Sequence, residues 1–265
     1  MLRDTAWPPG TPCWVDITTR DLGISQSFYS VVLGWDYLTA GPEFSGYCTA
    51  TIDSEAVAGL RPPAPFTHPS PGTNQTPAEW SVYLATDDIE STHELALAHG
   101  AEVIVPPTWL GDLGAMGRWV DPTGAAFGAW QAGRNVGATV VNEVGALAWC
   151  DLMTADLPAA LDFYAAVFGL TYRDEAIVGH DYVLFRTSDG ERPAGGIGAS
   201  PEGSSGWGTC FETEDVAAAA ARIERAGGTI LQQPWDFEYG RLMAAAGPDG
   251  ETFTLITTSG PGSTQ

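Results

Sequence analysis

DLGISQSFYSVVLGW, from Asp21 to Trp35, and DLPAALDFYAAVFGL, from Asp156 to Leu170, decide the fold. In each, an aspartate suited to an N-cap precedes apolar residues at helical spacing, and a glycine (Gly34, Gly169) closes the run. Seven residues before each aspartate the chain writes Trp-x-Asp, first as Trp14-Val15-Asp16 and then as Trp149-Cys150-Asp151. The offset from Asp21 to Asp156 is 135 positions, and so is that from Trp14 to Trp149. Further on, TDDIESTHELALAHGAEVIVPP from Thr86 is answered by TEDVAAAAARIERAGGTILQQP from Thr213, and DPTGAAFGAW from Asp121 by GPDGETFTLI from Gly247. The same segments in the same order twice over mean a tandem duplication.

Within the first half, CWVDITT is rich in β-branched and aromatic residues and predicts a strand ahead of the helix, with YCTATID and AVAGL as short strands behind it. A second unit follows: strand WSVYLAT, a helix from Asp87 to His99 ended by Gly100, then strands AEVIVPP, GRWVD and AAFGAW. Each half therefore reads as β-α-β-β-β written twice, an α+β protein of two tandem domains. Their expected bounds are 11–131 and 146–258. The Gly-containing, polar stretch AGRNVGATVVNEVG, residues 132–145, is the expected linker.

The formal net charge of −22, from 33 acidic against 11 basic side chains, repels phosphate backbones and anionic lipid, which excludes nucleic acid and membrane surfaces as expected partners. No apolar run approaches the roughly 20 residues of a membrane helix. The opening MLRDTAWPPG lacks the basic-then-apolar pattern of a signal peptide. Cys13, Cys48, Cys150 and Cys210 are scattered without metal-like spacing and read as reduced thiols, so a cytoplasmic location is expected.

The paired DLGISQSFYSVVLG and DLPAALDFYAAVFG segments, the helix starts at Asp88 and Asp215, and the late DPTG and PDG turns together resemble the vicinal oxygen chelate superfamily. This is also called the glyoxalase/bleomycin-resistance/dioxygenase fold. More narrowly, the chain is similar to its two-domain actinobacterial hydroxylase-like members, some of which accompany antibiotic pathways. The resemblance spans roughly Pro12 to Thr258 and implies sheets curled into half-barrels, each with a concave cavity. It also implies where a catalytic metal would be held in each half. The ligand positions correspond to Trp14, Ser81 and Gly128 in the first half and to Trp149, Gly208 and Thr254 in the second. None carries His, Gln, Asp or Glu, and neither indole nor glycine supplies a donor for a hard divalent ion. No metal and no cofactor is therefore expected.

Side chains alternate across a strand, so Trp14 shares a face with Asp16, and Trp149 with Asp151. An aromatic plate beside a carboxylate stands where the resemblance would place a metal ligand. The plainer alternative is that each tryptophan is core and each aspartate caps backbone groups. The expected site is a metal-free cavity for a small aromatic molecule, cationic in one variant of the reading. Trp14, Trp130, Gly128, Ser81, Tyr83, Trp149 and Thr254 would line it, and Asp16 and Asp151 are the candidate general bases should the protein be an enzyme. The first half is the favoured cavity, because Gly128 would leave room for a planar ring between Trp14 and Trp130. Four units complete both cavities, so a monomer suffices and a homodimer is the alternative.

Overall fold

Each of the four helices begins at an aspartate whose carboxylate accepts from backbone N–H groups of the first turn: Asp21 from Ile24, Asp88 from Glu90 and Ser91, Asp156 from Ala159, and Asp215 from Ala217 and Ala218. Gly34 and Gly169 stop the first helix of each half in the left-handed conformation, with φ of 77° and 67°. The computed structural model describes residues 2–39, 41, 46–63, 78–173, 181–187, 190 and 192–258. The Pro-rich stretch with His68, and His180, lie outside the described residues.

The first half runs β1 (Pro12–Thr18), α1 (Leu22–Leu33), β2 (Asp36–Thr39), β3 (Cys48–Ile52), β4 (Glu55–Arg61), β5 (Glu79–Thr86), α2 (Ile89–Ala98), β6 (Glu102–Trp109), β7 (Gly114–Val120) and β8 (Ala126–Ala132). The second repeats it: β9 (Leu147–Thr154), α3 (Leu157–Phe168), β10 (Thr171–Arg173), β11 (Tyr182–Arg186), β12 (Gly195–Ala199), β13 (Gly206–Glu212), α4 (Val216–Arg225), β14 (Thr229–Phe237), β15 (Gly240–Ala246) and β16 (Thr252–Thr258). Each half is an open eight-stranded sheet, ordered β2-β3-β4-β1-β5-β8-β7-β6 and β10-β11-β12-β9-β13-β16-β15-β14. The first strands of the two units in a half, β1 with β5 and β9 with β13, pair antiparallel at the centre. The short edge strand β2 had no counterpart in the strands read from the sequence.

One face of each sheet is covered by helices and turned toward the other half. There Trp35 packs on Phe211, Trp80 on Phe211, Phe28 on Phe253, and Phe127 on Phe163, with ring centroids 5.2–6.2 Å apart. Two buried hydrogen bonds cross this interface as a pair. Tyr29 of α1 donates to Glu251 ahead of β16, and Tyr164 of α3 donates to Asp121 ahead of β8, each at 2.9 Å. Residues 132–145 are docked: Ala138 donates to the Cys13 carbonyl, Thr139 to that of Ala56, and Trp35 to that of Gly145. The opposite, concave faces point outward.

Candidate functional site

The central ladder of each sheet carries the same row of positions across its concave face. In the first half Trp14 lies opposite Tyr83, which lies beside Gly128, and Asp16 lies between Ser81 and Gly59. In the second, Trp149 lies opposite Cys210, which lies beside Thr254, and Asp151 lies between Gly208 and Gly196. Residues opposite one another on neighbouring strands share a face. The ladder therefore does gather Trp14, Asp16, Ser81, Tyr83, Gly128 and Trp130 on one surface, and Trp149, Asp151 and Thr254 on another.

What fills the two surfaces differs. On the first, Asp16 is 4 % exposed, its Oδ1 3.2 Å from Arg61 Nε and its Oδ2 accepting from the Tyr83 hydroxyl at 3.1 Å. Burial, with Asp16 adjacent, raises the Tyr83 phenol well above its usual range. Trp14 donates its indole N–H to the Tyr47 hydroxyl at 2.8 Å and packs with Tyr83 and Trp130 in a small apolar cluster. Arg118 on β7, directly opposite Gly128, donates to Ser81 Oγ at 2.9 Å. The room expected at Gly128 is taken: a Cβ built there would stand 2.3 Å from the Tyr83 ring. Glycine is needed because the phenol lies flat over it, so no planar ring of a ligand fits between Trp14 and Trp130 at that point.

The second surface is open. Trp149, Asp151 and Thr254 are half-exposed and Gly208 is exposed, with no atom closer than 3.8 Å to a Cβ placed on it. Asp151 Oδ1 accepts from the Trp149 indole at 2.8 Å and from the Tyr182 hydroxyl, which closes over Gly196. Burial of the carboxyl raises the Asp151 pKa, and the hydrogen bonds from Tyr182 and Trp149 offset part of that rise. Register places Gly198 where the first half has Arg61, and Ala244 where it has Arg118. No cation among the described residues perturbs Asp151. Beside this face a groove of about 390 Å³ reaches Trp149 between the N-terminal segment, with Trp7 and Pro8, and Leu147 and Pro193.

Neither Tyr47 nor Tyr182 stands out in the sequence, although they share the 135-position offset and each follows its tryptophan by 33 residues. The remaining aromatic strand residues divide. Trp80, Trp119, Trp207 and Phe211 belong to the core on the helix side, whereas Trp109 is exposed. The six positions corresponding to metal ligands lack a donor set, and no group of three His, Cys, Asp or Glu among the described residues is disposed to hold an ion. The residues present do not fit the family's metal.

Two eight-stranded sheets of β-α-β-β-β units with outward concave faces define the class. A profile of the Glyoxalase/Bleomycin resistance protein/Dioxygenase superfamily matches residues 13–128 and 146–255, and the chain belongs to that superfamily. Among its relatives is CFP32 of Mycobacterium tuberculosis, which bears a provisional glyoxylase name. It is 35 % identical over 262 residues, 97 % of this chain and 98 % of that one. The anthracycline biosynthesis protein DnrV of Streptomyces peucetius is 32 % identical over 262 residues, covering 95 % and 94 %. Among solved structures, the Mn(II)-bound glyoxalase of Novosphingobium aromaticivorans superposes with a TM-score of 0.66 at 15 % identity, covering 94 % of this chain and 82 % of that one. The 2,3-dioxygenase LapB of Pseudomonas sp. KL28 does so with 0.63 at 16 %, covering 96 % and 94 %. No helix among the described residues is long and apolar enough to cross a membrane.

Proposed function

We propose that the chain binds a planar aromatic small molecule on its second concave face, without a metal, as an accessory to the making or handling of an aromatic natural product. One observation carries this reading: Trp149, Asp151 and Tyr182 form a hydrogen-bonded group on a partly open surface, while Trp14 and Asp16, at the positions equivalent to the first two, are buried under their own neighbours. A partly exposed indole beside a hydrogen-bonding carboxyl suits a flat hydroxylated ring. The relative named for anthracycline biosynthesis points to the same chemical class. A monomer is sufficient, since both faces are complete within one chain. The four buried, unpaired cysteines suit a reducing cytoplasm.

A second reading rests on the raised proton affinity of Asp151. A carboxyl held this way, with a phenol on one oxygen, can exchange a proton with a bound phenol or ketone, making the protein a metal-independent acid–base catalyst. Titration of tryptophan fluorescence with 1,4-dihydroxyanthraquinone tests the binding. Trp149→Ala, confirmed folded, should weaken it by about 1–3 kcal/mol, the value of burying a large apolar side chain. Unchanged affinity in that variant sinks the proposal. Asp151→Asn separates the readings, since it should spare most of the binding but abolish any turnover of hydroxyanthraquinones.

A further inference from the structure

We infer that the exposed face of α1 is where two copies of the chain pair about a two-fold axis. Ile24, Ser27 and Val31 follow one another at helical spacing along that face, and Ile24 and Val31 are 53 % and 51 % exposed. Beside them a groove of about 470 Å³, lined by Phe28 and Ala226 as well as by these three, runs between α1 and the end of α4. The patch thus holds both projecting aliphatic side chains and a groove to receive them. A surface of that kind pairs with itself, because a two-fold lets the aliphatics of each copy enter the groove of the other. Ser27, whose hydroxyl donates to the Gly23 carbonyl of its own helix at 2.8 Å, is small enough to sit at the axis.

The duplicated helix supplies a control. α3 folds with Ala159, Asp162 and Ala166 at the positions 135 residues on from Ile24, Ser27 and Val31. The fold therefore requires neither exposed aliphatic, and a contact that takes both out of water accounts for them. Charge selects a second copy as the partner. At a formal net charge of −22, two copies repel wherever carboxylates meet. α2 exposes Glu90 and Glu94, α3 Asp162 and α4 Glu224, whereas α1 has no charged residue from Leu22 to Leu33. Depletion of charge is the mark of an interface core, and a cationic partner would be drawn to the acidic surfaces instead. The rim of the groove carries one exposed charge of each sign, Asp21 and Arg225, so a copy laid on it offers each an opposite. None of these residues belongs to either concave face.

Sedimentation velocity of the full chain over roughly 1–200 µM tests the pairing, with a dimer expected to predominate by about 100 µM. Ser27→Asp, and Ile24→Ala combined with Val31→Ala, each copy the second-half helix; both should fold and weaken the dimer at least tenfold. Ser27→Lys should do the same, while an equimolar mixture of the Ser27→Asp and Ser27→Lys proteins should recover the dimer, since opposite charges then meet at the axis. Should those variants fail to fold, Ser27→Cys carries the test. The four native cysteines are buried, so a short bis-maleimide should link two chains of that variant and none of the parent. A chain that stays monomeric throughout the range overturns the inference. So does a dimer that persists unchanged in folded Ser27→Asp, a mixture no more dimeric than its components, or a Ser27→Cys protein that dimerises without being linked.

Discussion

The two concave faces share a ladder and oppose each other in content. Around Asp16 the chain gathers two arginines, two tyrosines and a serine, and closes the surface. Around Asp151 it sets glycines, a threonine and an alanine, and leaves the carboxyl with hydrogen-bond donors alone. The helix-side face of both sheets is constrained because it must bury aromatic rings against the other half. The outward face has no such duty, so it is where a duplicated fold can diverge without unfolding.

The comparison can be broken most directly at the aspartates. Asp16→Ala should cost about 3–5 kcal/mol in denaturant unfolding, because it strands the largely buried Arg61. Asp151→Asn strands no cation and should cost less than about 1 kcal/mol at neutral pH. Equal losses would mean that the two carboxylates play the same role. Trp14→Ala should likewise cost about 3–5 kcal/mol of stability, as for other buried large aromatics, yet leave dihydroxyanthraquinone affinity unchanged.

A smaller effect separates the glycines. Gly128→Ala forces a methyl into the Tyr83 ring, whose hydroxyl is tied to Asp16, and should destabilise by about 1–3 kcal/mol. Gly208→Ala meets open space and should stay within about 0.5 kcal/mol of the parent. The smallest effect concerns pH. Because the folded state raises the Asp151 pKa above its unfolded value, the native protein holds that proton more tightly. The parent therefore loses stability from this group as pH rises from about 4 through the raised value, and Asp151→Asn does not. The stability difference between the variant and the parent should shift in the variant's favour over that interval; a flat difference would show that burial of the carboxyl is relieved in solution.

The frame was legible because it is written locally and twice. Four aspartate N-caps and the 135-position offset announce the helices and the duplication without reference to tertiary contacts. The edge strands β2 and β10 escaped because four and three residues are too short to show an alternation. At the site, Trp14 with Asp16 and Trp149 with Asp151 follow from strand periodicity alone. Which face stays open does not, since it depends on Tyr83, Arg61 and Arg118 arriving from three other strands, and only register reveals that Gly128 lies under a phenol. The room for a planar ring expected at Gly128 is lost at that step.

The crossed tyrosine pair, Tyr29 on Glu251 and Tyr164 on Asp121, makes each half the other's missing wall. A chain cut between residues 132 and 146 would leave each fragment with a plate of rings facing water and with both a phenol and a carboxyl lacking their mates. Gene duplication in this protein is thus a ratchet. Once the copies had exchanged these contacts neither could be discarded, and whatever one outward face later gave up or acquired, the chain had to carry both.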